Sequence, residues 1–140
     1  MAVDSRPKVL VLEDHYLLAA DLSLGLQRAG LEVIGPLSTL DEALALAGSA
    51  EPPDAAVLDL QLHGEMAYPV ADVLLSRGIP FAFVTGYDDQ FIADRYSGVC
   101  RWQKPCDADA IGAVVSRLLR ERRTFFRRSS EGSDGPAADG

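Results

Sequence analysis

Three acids stand where short apolar runs stop: Glu13 and Asp14 after KVLVL, and Asp59 after AAVL. Carboxylates gathered in one place repel one another and cannot all stay ionised without a counter-charge. Their oxygens suit Mg²⁺, which keeps several waters and takes few protein carboxylates. Beside such a metal, one carboxylate can act as nucleophile toward a phosphoryl group, whose developing charge needs metal and cationic stabilisation. Asp59 is the candidate nucleophile, because it stands alone at the end of its run. Thr85 closes FAFVT with a hydroxyl able to donate to one phosphoryl oxygen, and Lys104 offers a positive charge to another. The bond from Lys104 to Pro105 is predicted to be cis, giving Pro105 a structural role in a sharp turn.

These residues need a scaffold that brings them to one edge. KVLVL is a continuous apolar run of the kind buried on both sheet faces. Leu18, Leu22 and Leu26 recur at helical spacing through residues 16–29, and Gly30 follows where a helix ends. LEVIG (31–35) reads as a second strand, and STLDE opens a helix to about residue 49 with both S-x-x-D and T-x-x-E capping patterns. Pro52 and Pro53 precede a third strand that stops at Asp59. A loop holding His63 and Gly64 leads to a helix over 68–77, ended by Gly78, and Pro80 leads into FAFVT. A weakly amphipathic fourth helix is expected over 88–97, mobile for want of apolar anchors, before a fifth strand at 99–103. Asp107 can cap a last helix whose Ile111, Val114, Val115, Leu118 and Leu119 form one buried stripe, reaching about Arg122.

Strands alternating with helices imply a parallel sheet covered on both faces. The expected fold is therefore a doubly wound, flavodoxin-like α/β domain of five strands in the order 2-1-3-4-5. Its ligand site lies at the carboxyl ends of the strands, where the five polar residues stand. The domain should span 7–122, with residues 1–6 as an extension. Residues 123–140 form a basic and then Gly/Ser/Asp/Pro-rich tail, expected to be disordered.

Composition narrows the function. The chain has 140 residues, enough for one compact domain rather than two. Its net charge of −8 disfavours direct nucleic-acid binding or attraction to an anionic membrane. No apolar run approaches the ~20 residues of a membrane-spanning helix. Cys100 and Cys106 lack metal-ligand spacing to His15 or His63, which points to a reduced, cytoplasmic setting.

The sequence of strand ends, ED then D then T then KP, resembles the receiver domain of bacterial two-component response regulators over residues 7–122. The resemblance implies Glu13 and Asp14 as metal-binding acids and Asp59 as phosphoacceptor and metal ligand. It adds Gln61 as a backbone-carbonyl ligand, with Thr85 and Lys104 reading the phosphoryl group and Mg²⁺ as cofactor. It further implies a histidine kinase or histidine phosphotransfer protein as donor, and self-phosphorylation and dephosphorylation rather than enzymatic turnover. Residues 80–89, PFAFVTGYDD, also resemble the signature of the FATGUY subgroup of single-domain receivers, with Val84 where the name has Ala.

One position departs from the pattern. Receivers carry a switch aromatic three residues before the lysine, and here that residue is Arg101. Trp102 is adjacent but should face the other side of its strand. Tyr87 is the expected replacement. His15 reads as a capping or surface residue, and His63 as a solvated loop histidine. Output is expected through protein contacts, including a homodimer on the face of the fourth helix, fifth strand and last helix, or through service as a phosphate sink. Two other classes compete. One is a pseudo-receiver adaptor that works without phosphorylation. The other is a phosphotransferase of the haloacid-dehalogenase type, which wants an acid two residues after the nucleophile, where Gln61 stands.

Overall fold

The computed structural model describes residues 6–86 and 92–131, with side chains through residue 122. Five parallel strands form the main sheet: β1 (Lys8–Leu12), β2 (Glu32–Leu37), β3 (Ala55–Asp59), β6 (Phe81–Thr85) and β7 (Cys100–Gln103). Their order is β2-β1-β3-β6-β7. That is the expected doubly wound order once a small hairpin, β4 (Gln61–Leu62) with β5 (Glu65–Met66), is set aside. Helices α1 (Tyr16–Arg28), α2 (Leu40–Ala47), α3 (Tyr68–Ser76) and α4 (Ala108–Glu131) complete the fold.

Strand alternation divides the core. Leu10, Leu12, Ala56, Leu58, Phe81 and Phe83 pack with α2 and α3 on one face. Val9, Val11, Val57 and Val84 pack with Leu22 and Leu26 of α1 and Ile111, Val115 and Leu119 of α4 on the other. Successive residues of one strand thus enter different layers, which is why the inner strands read as unbroken apolar runs. On the α1–α4 side the helices meet through glycine. A Cβ on Gly25 would lie 2.4 Å from Ala108 O, and one on Gly112 would lie 2.6 Å from Gly25 O.

Capping follows the sequence. Thr39 accepts from the Glu42 N–H at 3.2 Å and donates to Glu42 Oε1 at 3.1 Å, so of the two STLDE patterns the T-x-x-E pair closes. Asp107 Oδ1 accepts from the N–H groups of Asp109 and Ala110 at 3.0 and 3.3 Å.

Four expectations need correction. First, β2 continues past Gly35 through a cis Gly35–Pro36 bond to Leu37, with a register shift opposite Leu10 and Leu12. Second, the loop at 61–66 is a hairpin. His63 (φ 51°) and Gly64 (φ 81°) both have positive φ, as a two-residue type I′ turn requires. Third, α4 does not stop near Arg122 but runs to Glu131, because loss of the apolar stripe does not end a helix. The first strong stop signal after Arg122 is Gly132. Fourth, residues 87–91 lie outside the described residues, and the rest of the expected fourth helix is a single 3₁₀ turn at Asp94–Tyr96 rather than an α-helix. Buried Tyr96 and the bond from Arg95 to Asp72 hold that turn against α3.

Among the described residues, no helix is long and apolar enough to cross a membrane.

Candidate functional site

The carboxyl ends of β1, β3, β6 and β7 bring the strand-end residues together. Glu13 follows β1 and is 2% exposed. Its backbone N–H donates to Leu37 O at 2.9 Å, so the extension of β2 fixes the entry of the acidic pair. Its Oε2 accepts from the His15 N–H at 3.1 Å. Asp59 ends β3 and is 4% exposed, and its Oδ1 accepts from the Gln61 N–H at 3.4 Å. Asp14 is exposed and lies 3.4 Å from Nδ1 of His63. Ligand oxygens of Glu13, Asp14 and Asp59 all lie within 4.8 Å of one another.

Lys104 closes the cluster. Its Nζ lies 3.3 Å from Asp59 Oδ2 and 3.3 Å from Glu13 Oε1. Its backbone N–H donates to Thr85 O at 2.8 Å, tying β7 to the end of β6. Thr85 itself is 4% exposed. The Lys104–Pro105 bond is cis, and Pro105 lines an open groove of about 460 Å³ with His15, Leu17, Leu18, Asp21 and Lys104.

The electrostatics follow from burial. Desolvation first, and the Glu13 charge second, push the Asp59 carboxyl up to about 7, against the pull of Lys104. Burial opposes the Lys104 ammonium, but the charges of Asp59 and Glu13 outweigh it and hold its pKa above the usual lysine value. Three carboxylates against one ammonium leave an excess of two negative charges when all are ionised. Among the described residues, buried Glu13 Oε1 has no hydrogen-bond partner, and its one close cation is Lys104 Nζ at 3.3 Å. A dense oxygen set with excess negative charge fits a hard divalent cation.

Arg101 is exposed on β7 and pairs with Phe83 across the sheet, whereas Trp102 packs with the α1–α4 layer, so the two face opposite ways as expected. Tyr87 lies outside the described residues. His15 caps α1, its Nδ1 accepting from the Leu18 N–H at 3.3 Å. Two residues with clear roles were not singled out from the sequence: Leu37, hidden behind the Gly-Pro step, and Tyr96, buried beside α3.

A doubly wound parallel sheet with an acidic cluster and a lysine at the carboxyl ends of its strands defines the flavodoxin-like class of α/β domains. No family model matches the chain. It is 30% identical over 133 residues to the phyllosphere-induced regulator PhyR of Methylorubrum extorquens, a match covering 93% of this chain and 48% of that protein. The chain spans about half the length of the curated relatives it matches. The solution structure of SdrG from Sphingomonas melonis Fr1 is 32% identical, with a TM-score of 0.69, covering 84% of this chain and 99% of that one. A response regulator receiver protein from Sinorhizobium medicae shares the fold at 22% identity and TM-score 0.71, covering 84% of this chain and 97% of that one. The chain belongs to the response-regulator receiver family.

Proposed function

We propose that Asp59 accepts a phosphoryl group from the phosphohistidine of a kinase or phosphotransfer protein, with Mg²⁺ held by Glu13, Asp14, Asp59 and the Gln61 carbonyl. The observation that carries this reading is the position of Lys104, between the buried carboxylates of Asp59 and Glu13. In transfer, an Asp59 oxygen forms a bond to phosphorus as the donor's phosphorus–nitrogen bond breaks, and the released imidazole takes up a proton. Lys104 is placed to leave its ion pair with Asp59 Oδ2 and follow the negative charge onto a phosphoryl oxygen, and Thr85 can donate to another. The metal, when bound, supplies charge neutralisation that lets Asp59 ionise and approach an anionic donor.

The phosphorylated state changes protein contacts or serves as a phosphate sink, in the cytoplasm. Contact through the β7 and α4 face would allow homodimerisation. Turnover is limited to the protein's own aspartyl phosphate. Gln61, in place of an acid two residues after Asp59, disfavours the dehalogenase-type reading. The direct test is acetyl phosphate with Mg²⁺, read by intact mass. Gain of one phosphoryl group by the wild type and none by Asp59→Asn is the expected outcome. No gain in a protein that still binds Mg²⁺ would favour the phosphorylation-independent adaptor.

A further inference from the structure

Two chain segments leave the site end of the sheet. One runs from Asp59 through the β4–β5 hairpin into α3, and the other from Thr85 toward the turn at Asp94–Tyr96. They meet again in one cluster. Tyr96 is 2% exposed, its ring stacked on Tyr68 of α3 with centroids 5.0 Å apart. It stands edge-on to Phe83 at 5.5 Å and to Phe81 at 6.4 Å. Its hydroxyl donates to the Asp72 carboxylate and lies 3.3 Å from Tyr68 O. Arg95 grips Asp72 through two hydrogen bonds, at 2.9 and 3.0 Å, and its guanidinium lies 4.7 Å from the Tyr96 ring centroid and 5.4 Å from that of Tyr68. The Tyr68 hydroxyl accepts from the Ala93 N–H at 3.1 Å.

Phe83 stands two residues before Thr85 on the same face of β6 and pairs with Arg101 of β7. A strand aromatic at 101 would meet Phe83 from the neighbouring strand. Here the ring on Phe83 comes from Tyr96 instead. We infer that Tyr68, Asp72, Arg95 and Tyr96 form a latch joining the two segments that leave the site, and that Tyr96 relays a change at Asp59 and Thr85 to the surface through Phe83. This rests on the phosphoryl-acceptor reading above.

The chemistry of the latch favours two discrete arrangements. Closed, every polar group named has a partner. A small withdrawal of the Tyr96 ring would strand a buried hydroxyl, which costs more than moving fully into water. The bidentate ion pair is half-exposed, so it contributes geometry more than stability and can open. Burial first, and Asp72 next, push the Tyr96 hydroxyl up to about 12, so it remains a donor at neutral pH.

Hydrogen exchange of the full chain, with Mg²⁺ and with or without acetyl phosphate, tests the relay, while intact mass reports phosphoryl uptake. Tyr96→Phe keeps the ring and removes the hydroxyl, and Asp72→Asn keeps the shape and removes the charge. The wild type should gain the phosphoryl group and change its exchange over residues 92–99. Both variants should still gain it, exchange about tenfold faster there beforehand, and lose the donor-dependent change. Normal uptake with a wild-type exchange response in both variants would overturn the latch and leave the acceptor reading standing. A wild type that takes up no phosphoryl group would remove both.

Discussion

Lys104 Nζ stands 3.3 Å from an oxygen of Asp59 and 3.3 Å from an oxygen of Glu13, one ammonium between two buried carboxylates. It offsets their repulsion in the absence of metal. Lys104→Met leaves the acids facing each other uncompensated, and breaking a buried ion pair in this way costs about 3 kcal/mol. Above about pH 8, where the acids are ionised, Mg²⁺ should recover more stability in the variant than it adds to the wild type, since the variant's site then carries one more negative charge. Thermal unfolding with and without Mg²⁺ measures both increments, and equal increments would refute the argument.

Asp59 gives a pH dependence of defined sign. Its carboxyl has a pKa of 3.8 when unperturbed and about 7 in the fold, raised by burial and by Glu13. Between those values the folded protein holds a proton that the unfolded chain has released. Metal-free stability therefore falls as pH rises through this window and levels off above it. Asp59→Asn removes the effect, so the variant should gain on the wild type by roughly 3 kcal/mol between about pH 4.5 and about pH 8. Denaturant unfolding in chelator at both pH values is the check, and a constant difference would contradict it.

What the sequence revealed depended on the kind of signal. KVLVL, AAVLD and FAFVT are legible because a strand buried on both faces has no alternation to hide, and each ends at, or just before, a polar residue of the site. Gly35–Pro36 looked like a strand end because proline cannot donate to a ladder. At Leu37, though, the ladder has resumed, and its carbonyl holds Glu13. Tyr96 was invisible for a different reason. Its burial depends on Tyr68, Phe81 and Phe83, which lie 28, 15 and 13 residues away, so no local periodicity marks it. The Arg101 departure was legible, but the aromatic that covers Phe83 in its place was not.

The contact of α1 with α4 reverses the usual effect of replacing a helical glycine. Elsewhere in a helix, Gly→Ala stabilises by about 1 kcal/mol. A methyl at Gly25 would lie 2.4 Å from the Ala108 carbonyl oxygen, and one at Gly112 would lie 2.6 Å from the Gly25 carbonyl oxygen. Backbone atoms cannot rotate away, so the helices must separate. Each substitution should destabilise by about 2 kcal/mol. The double variant should cost less than the sum, because one separation relieves both clashes. Strict additivity in chemical denaturation would show that the two glycines act independently.

Arg101 and Trp102 are neighbours on β7 with opposite burdens. Arg101 is exposed, whereas Trp102 packs into the layer that holds Val84, Ile111 and Val115. Arg101→Ala should change stability by no more than about 0.5 kcal/mol, the range of surface substitutions away from special features. Trp102→Ala should cost about 3 kcal/mol through lost packing. Equilibrium unfolding of both variants separates the two faces. A large loss in Arg101→Ala would mean that position 101 packs against the sheet as a strand aromatic does, and Tyr96 would then not be needed to cover Phe83.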